Sequence, residues 1–251
     1  MISKQKIKDF KSLNTKKGRL THKKILVEGK RIIKEIISTN YPIDEIWFSE
    51  NFYNENQNFI NSIKNISLES VPDSVIDTLA DTKNSQGVIG IMPIPFKSLD
   101  SITGNIVILD NVSDPGNLGT IIRTADWFGV ENIFLSDNSV DPYNSKVIRS
   151  AMGAHFRENI IVGEIEPLID MLASKNFKLI SADINAKQNI QDLKIDKNHN
   201  WGLLLGNEAH GISKSILNKV KNSVKIPQIG KIESLNLSVA CSIFLYQLTI
   251  R

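Results

Sequence analysis

The second half of the chain alternates short apolar runs with segments of helical period, and this alternation limits the fold more than any other feature. The run Ile106–Leu109 is apolar throughout, as expected for a parallel strand covered on both faces. A polar turn and the amphipathic segment Leu118–Phe128 follow it, with Gly129 as the residue that ends the helix. The pattern predicts an α/β fold with a mostly parallel sheet and helices on both faces.

The remaining predicted elements of this half repeat the pattern. Further strands are predicted at Asn132–Leu135, Asn159–Val162, Phe177–Ala182, Trp201–Leu205 and Ser223–Ile226. Further helices are predicted at Tyr143–Ala151, Pro167–Ser174 and Ser234–Leu248. Ile243 falls on the predicted buried face of the last helix.

The first 95 residues predict a small α/β domain of their own. Strands are predicted at Lys24–Glu28, Ile43–Ser49, Ile66–Val71 and Asn84–Met92, and helices at Gly29–Ser38, Phe52–Lys64 and Asp73–Ala80. The two prolines in Met92–Pro95 cannot continue a helix or a central strand, and the residues after them show no periodicity. We therefore predict domains at residues 1–95 and 105–251, with a linker at 96–104.

Charge is distributed unevenly along the chain. The formal net charge is +3, yet residues 1–31 hold eleven Lys and Arg against two acids, so the remaining residues are net acidic. Residues 1–20 are predicted to form a helical or partly ordered basic arm, with Ile2, Ile7, Phe10 and Leu13 as its apolar anchors. Such an arm favours a polyanion partner, and RNA or DNA is the common one. A solvated lysine face is the alternative.

Several classes of protein are disfavoured by composition. No apolar run approaches the ~18 residues of a membrane span, and the N-terminus lacks the apolar region of a secretory signal, so we expect a cytoplasmic protein without membrane contact. The single cysteine, Cys241, excludes an intrachain disulfide. With only four histidines, no His/Cys cluster has zinc-ligand spacing, and we expect no metal.

Three strand-to-helix turns carry the polar residues of the second half, at 110–119, 203–213 and 226–238. Turns at the carboxyl ends of parallel strands are expected to converge on a ligand site. In the first turn, Gly116 and Gly119 permit a tight bend, Asn117 can cap the helix, and Arg123 offers a planar set of donors for phosphate or carboxylate. Taken alone, Asn117 could be only a cap and Arg123 only a surface ion pair.

The second turn resembles a phosphate-binding loop but lacks its key residue. Gly206–Ser213 fits the spacing, except that Ile212 stands where a lysine must reach the phosphates. Glu208 adds a negative charge to the loop. No G-x-G-x-x-G follows a strand either, so nucleoside triphosphate and dinucleotide sites are both disfavoured.

Together the three turns resemble the motifs of the SpoU (TrmH-like) branch of the SPOUT RNA methyltransferases, in order and in spacing. The resemblance covers about residues 104–251 and rests on Asn117-Leu-Gly119 with Arg123, on Gly206-Asn207-Glu208 with Gly211, and on Ile226-Pro227 with Ser234-Leu235-Asn236 and Ala240. Gln228 departs from a methionine often found after the Ile-Pro. The first domain looks like an L30e-like RNA-binding domain, from the segments ILVEGKRIIKEI and SQGVIGI.

The resemblance implies an S-adenosylmethionine-dependent RNA 2′-O-ribose methyltransferase that forms a homodimer and has a trefoil knot at its C-terminus. The two-domain architecture favours 23S rRNA as the substrate. Alternatives are a tRNA 2′-O-methyltransferase and a catalytically silent, ribosome-associated RNA-binding protein.

The resemblance also implies the site residues. The expected catalytic residues are Asn117, Arg123, Glu208, Ser234 and Asn236. The expected cofactor-binding residues are Leu205, Gly206, Asn207, Gly211, Ile226, Pro227, Ser234 and Leu235, with Ile184 or Asn185 as further candidates. Because a guanidinium is a poor base, we expect Arg123 to clamp the RNA phosphate and to stabilise the developing alkoxide. Glu208 is expected to orient Arg123, and Asn117, Ser234 and Asn236 to place the ribose.

Overall fold

The computed structural model describes residues 2–95, 97–196, 198–208 and 210–250. Phe96, the first residue of the predicted linker, lies outside the described residues, as do Met1 and Arg251 at the ends of the predicted domains. The chain divides into two units, one formed by Met1–Phe96 with Tyr143–Phe156 and the other by Lys97–Pro142 with Arg157–Arg251.

The first unit contains a four-stranded mixed sheet. Its strands are β1 (Lys24–Glu28), β2 (Glu45–Ser49), β3 (Ser67–Val71) and β4 (Val88–Pro93). The sheet order is β1-β4-β2-β3, with β2 and β3 parallel and both pairings of β4 antiparallel. Its helices are α1 (Lys4–Ser12), α2 (Lys16–His22), α3 (Lys30–Ser38), α4 (Glu50–Ser62), α5 (Asp73–Leu79) and α7 (Ser145–Ala151). All four predicted strands are confirmed.

The basic N-terminal segment is folded onto this unit. Phe10 and Leu13 are buried, and the Phe10 ring centroid lies 4.9 Å from that of Trp47. Arg19 is only 4% exposed, and its Nη1 donates to the Leu13 carbonyl at 2.8 Å. The Lys6 ammonium forms an ion pair with Glu45 at 2.7 Å. Some of the predicted basic arm therefore stabilises the fold.

Helix α7 belongs to the first unit although residues 97–142, which precede it in sequence, belong to the second. Ile148 and Phe156 pack into the apolar core of that unit. The Ser145 hydroxyl and Arg149 Nη2 donate to Asp81 at 2.6 and 3.2 Å, and these bonds hold the pKa of Asp81 below its usual value. A division into contiguous domains does not anticipate this excursion, and the predicted domain bounds stay a prediction.

The second unit contains a seven-stranded sheet of order β7-β6-β5-β10-β8-β11-β9, parallel throughout. Its strands are β5 (Ile106–Leu109), β6 (Asn132–Ser136), β7 (Asn159–Gly163), β8 (Lys178–Ala182), β9 (Gln188–Asn189), β10 (Trp201–Leu205) and β11 (Asn222–Lys225). Its helices are α6 (Pro115–Trp127), α8 (Ile165–Ser174), α9 (Lys214–Leu217) and α10 (Leu237–Thr249). Short 3₁₀ turns lie at Leu99–Ser101 and Ile190–Asp192 in this unit and at Ala154–Phe156 in the first unit.

The parallel sheet is covered on both faces, as its apolar strands predict. Ile106 and Ile108 pack with α8 in one apolar cluster. Because side chains alternate along a strand, Val107 and Leu109 point to the other face, and they are also fully buried. The predicted parallel architecture is therefore confirmed. Strand β9 and helix α9 were not predicted, since two and four residues are too short to show a period. The trefoil knot stays a prediction.

Candidate active site

A cavity of about 720 Å³ lies at the carboxyl ends of β8, β10 and β11. Apolar side chains such as Leu205 and Phe244 alternate around it with polar groups from three loops. Every residue expected from the sequence to bind the cofactor lines this cavity, as do Ile184 and Asn185: Leu205, Gly206, Asn207, Gly211, Ile226, Pro227, Ser234 and Leu235.

The first turn begins its helix three residues earlier than predicted. Asp114 is the N-cap of α6, and its Oδ1 accepts from the Asn117 backbone N–H at 2.7 Å. Pro115 follows at the first helical position, where the missing N–H costs nothing. The prediction that Asn117 caps the helix is wrong, because the Asp114 carboxylate already fills that role. The Asn117 side chain is consequently free to point towards the other two turns.

A chain of two hydrogen bonds joins the three turns through Asn117. Asn236 Nδ2 donates to Asn117 Oδ1 at 2.9 Å, and Asn117 Nδ2 donates to Glu208 Oε1 at 2.8 Å. The residues of this chain are 91 and 119 positions apart from Asn117 in sequence. The fold thus brings together three of the five expected catalytic residues.

The loop after β10 is a compact backbone turn. Asn207 and Gly211 exchange two backbone hydrogen bonds, at 3.1 and 2.9 Å. A Cβ on Gly206 would lie 2.2 Å from the Gly211 carbonyl carbon, and Gly211 has φ +66°. These glycines are required by the close approach and by the left-handed backbone, respectively. The loop holds Glu208 at its exposed tip.

The third turn ends in a helix cap. Asn236 is the N-cap of α10, and its Oδ1 accepts from the backbone N–H of Ser238 at 2.9 Å and of Val239 at 3.3 Å. Both ends of the Asn236 amide are therefore engaged, one by α10 and one by Asn117. Gln228 Nε2 donates to the Ile232 carbonyl at 2.6 Å and closes the loop before it.

Arg123 and Ser234, the other two expected catalytic residues, are not joined to this network. Both are exposed, and neither side chain forms a hydrogen bond or an ion pair within the described ranges of the chain. Ser234 lines the cavity, whereas Arg123 lies farther along α6. The expected contact between Glu208 and Arg123 is not observed, because Glu208 accepts from Asn117 instead.

Two residues of the site region were not among those predicted from the sequence. Asp110 and Asn111 directly follow β5, and Asp110 is only 4% exposed. Burial raises the pKa of the Asp110 carboxyl above its usual value, while a hydrogen bond from the Ser213 backbone acts in the opposite direction. The available signal was a carboxylate placed immediately after four apolar residues of a central strand.

In the described part of the chain, no group of three His, Cys, Asp or Glu side chains is arranged to hold a metal ion. Among the same residues, no helix is long and apolar enough to cross a membrane.

Comparisons with known proteins identify the class of protein to which the chain belongs. The model of the SpoU rRNA methylase family matches residues 104–246, and that of an MRM3-like substrate-binding domain matches residues 4–90. RlmP of Bacillus subtilis, a 23S rRNA (guanosine(2553)-2′-O)-methyltransferase, is 29% identical over 244 residues, which span 97% of this chain and 96% of that protein.

Solved structures agree with this result. An AdoMet-bound rRNA methyltransferase from Sinorhizobium meliloti superimposes with a TM-score of 0.85 at 27% identity, covering 98% of this chain and 95% of the other. A TrmH-family protein from Porphyromonas gingivalis superimposes with a TM-score of 0.88 at 25% identity, covering 98% of each chain.

The chain belongs to the SpoU rRNA methylase family. The resemblance found in the three turns is confirmed, and with it the implied chemistry: the protein is an S-adenosylmethionine-dependent RNA 2′-O-ribose methyltransferase.

Proposed function

We propose that the protein methylates a ribose 2′-hydroxyl of large-subunit rRNA. The observation that carries this proposal is the similarity to the Bacillus subtilis 23S rRNA enzyme, which runs through both units and nearly the full length of both proteins. A tRNA substrate is the second candidate. Mapping 2′-O-methyl positions in rRNA and tRNA from cells with and without the gene tests the choice, and loss of a mark in tRNA alone would overturn it.

The cavity is the proposed S-adenosylmethionine site. Its volume of about 720 Å³ lies within the range of small-molecule pockets. Leu205, Ile226 and Leu235 line it from three different segments, and apolar side chains form part of its wall. When bound, S-adenosylmethionine supplies an electrophilic methyl group on a positively charged sulfur. The residues of the cavity orient this group and exclude competing water.

Arg123 is the proposed RNA-facing group. It is exposed and unengaged by the described residues, so its five donors remain available to an RNA phosphate and to the oxygen that develops negative charge. Asn117 has both ends of its amide engaged by Asn236 and Glu208. It therefore acts on the position of its partners. Ser234 lines the cavity, and its hydroxyl bonds to none of the described residues, so it is the better candidate to contact the ribose.

The substrate-binding role of the first unit is supported by one face of α1. Lys4, Lys8 and Lys11 recur at helical spacing and are exposed, whereas Lys6 is paired with Glu45. Because Phe10 and Leu13 are buried, deleting the arm would disturb the fold. The sharper test replaces the three exposed lysines with alanine. We expect weaker rRNA binding and a smaller salt dependence; unchanged binding would discredit this surface.

We also propose a homodimer formed through α10. Val239, Ile243, Tyr246 and Ile250 form an exposed apolar stripe at spacings of 4, 3 and 4 residues, with exposures of 47, 38, 56 and 63%. The Tyr246 ring contacts Phe128, whose neighbour Trp127 is 84% exposed. An apolar surface of this kind favours burial against a second copy. Trp127 lies one turn from Arg123, so the interface would adjoin the RNA-facing group.

Sedimentation of Ile243→Glu tests the dimer, with Leu20→Glu, on an exposed residue of the first unit, as the matched control. We expect Ile243→Glu to sediment as a monomer and the control as a dimer. A wild-type monomer at micromolar concentration would overturn the proposal.

An rRNA substrate also supports a cytoplasmic location.

A further inference from the structure

Asp110 is a buried carboxyl whose contacts face the loop after β10. Its backbone N–H donates to the carbonyl of Leu205, the last residue of β10, at 2.8 Å. Its Oδ1 accepts from Asn111 Nδ2 at 2.8 Å, and its Oδ2 accepts from the Ser213 backbone N–H at 3.5 Å. Burying a carboxyl without compensating contacts is costly. These contacts offset part of that cost, and Ser213 ends the loop that carries Glu208.

Asn111 meets the other end of the same loop. Its φ of +55° lies in the left-handed region, which asparagine tolerates better than most side chains. In this conformation the Asn111 N–H donates to Ser136 Oγ at 2.8 Å, and the Asn111 carbonyl accepts from Asn207 Nδ2 at 2.8 Å. Asn207 is the residue that closes the loop against Gly211.

We propose that Asp110 and Asn111 are positioning residues that clamp the 207–213 loop at both ends. The clamp holds Glu208 where it accepts from Asn117 at 2.8 Å, and it fixes the wall that Asn207 and Gly211 give to the cavity. Neither residue lines the cavity itself. Their effect on the reaction passes through the loop, and it includes both cofactor affinity and turnover. The proposal rests on the assignment of this cavity to S-adenosylmethionine.

The test measures S-adenosylmethionine binding by calorimetry and methyl transfer to unmethylated 23S rRNA, using the full-length protein at a temperature where circular dichroism shows it folded. We expect Asp110→Ala to weaken S-adenosylmethionine binding and to lower kcat, each by about tenfold or more, with the KM for RNA unchanged. A change in stability alone would leave both quantities intact below the melting temperature. Asp137→Ala is the matched control, because Asp137 follows β6 but is exposed.

A second pair of variants tests the clamp if Asp110→Ala does not fold. Asn111→Gly keeps the left-handed backbone and the carbonyl that accepts from Asn207, whereas Asn111→Ala strains that backbone. We expect Asn111→Ala to lose about tenfold more S-adenosylmethionine affinity than Asn111→Gly. Equal affinities for the two, or a folded Asp110→Ala within twofold of wild type in binding and kcat, would overturn the clamp. A wild-type protein that binds S-adenosylmethionine but leaves rRNA unmethylated would refute the proposed substrate and leave the clamp testable by binding.

Discussion

The two halves of the candidate site are built differently. The first half, formed by the turn after β5 and the loop after β10, is joined by side-chain and backbone hydrogen bonds through Asn117 and Asn207. The second half, residues 227–235, is exposed throughout, and Ile229 and Ile232 lie 101 and 72% exposed at its tip. The chain fixes the first half by itself. The second half leaves apolar surface exposed beside the cavity, and we propose that the cofactor covers part of it.

The largest expected effect on turnover concerns Arg123, whose side chain bonds to none of the described residues. Arg123→Ala is expected to lower kcat about 100- to 1,000-fold, because a charge-stabilising donor is removed from the reacting oxygen. Arg123→Lys is expected to lose most of the turnover too, since an ammonium cannot replace the planar guanidinium. Methyl transfer to rRNA at saturating S-adenosylmethionine measures both. If Arg123→Lys kept most of its turnover, a bidentate role for the guanidinium would be wrong.

A smaller loss of turnover is expected from a substitution in the first half. Asn117→Ala removes the only link that the described residues form between Glu208 and Asn236, and we expect kcat to fall about tenfold to hundredfold. S-adenosylmethionine affinity should change by less than about threefold, because the bonds from Asn207 to Asn111 and from Ser213 to Asp110 still hold the loop that lines the cavity. Thr120→Ala, on an exposed position of the same helix, is the control. Equal losses for both variants would mean that the network is irrelevant to turnover.

The second half should respond in the opposite way, with an effect on cofactor affinity and not on turnover. Ile232→Ser removes an exposed apolar side chain from the cavity wall, so we expect S-adenosylmethionine binding to weaken by about threefold to tenfold with kcat nearly unchanged. The melting temperature should not move, since little packing is lost. Calorimetry and thermal unfolding measure the two quantities, with Leu20→Ser as the control. A drop in kcat larger than the loss of affinity would contradict the distinction between the halves.

The smallest effect on turnover is expected at Glu158, away from both halves. Burial, reinforced by Asp126 and Glu131, raises the pKa of this carboxyl to about 8 from its ordinary 4.5. The folded state therefore holds a proton that the unfolded state releases, and stability falls as pH rises between about 5 and 8, by up to about 1.4 kcal/mol for each pH unit.

Glu158→Gln should remove this dependence, raise the free energy of unfolding at pH 8 relative to wild type, and leave kcat unchanged. Urea denaturation at pH 5 and pH 8 measures the difference between the two proteins. A difference of equal size at the two pH values would show that Glu158 does not carry the shifted proton.

Much of this architecture could be predicted from the sequence because its signals are local. Strand β5 consists of four apolar residues because both of its faces are buried, and β1 alternates because only one of its faces is fully buried. Both strands have the bounds that these patterns predict. Two of the local predictions were wrong. Asp114 displaced Asn117 as the cap of α6, and Ile243, predicted to be buried, is 38% exposed on the stripe of α10.

What the sequence by itself determined is the set of elements and the chemical groups on the three turns, because periodicity and turn residues depend only on neighbours along the chain. The tertiary structure decided which of these groups meet. Asn117 finds Glu208 and Asn236, Arg123 is left without a described partner, and α7 returns to the first unit. Such contacts depend on strand order and on competition among donors for each acceptor, and neither is encoded in the spacing of residues along the chain.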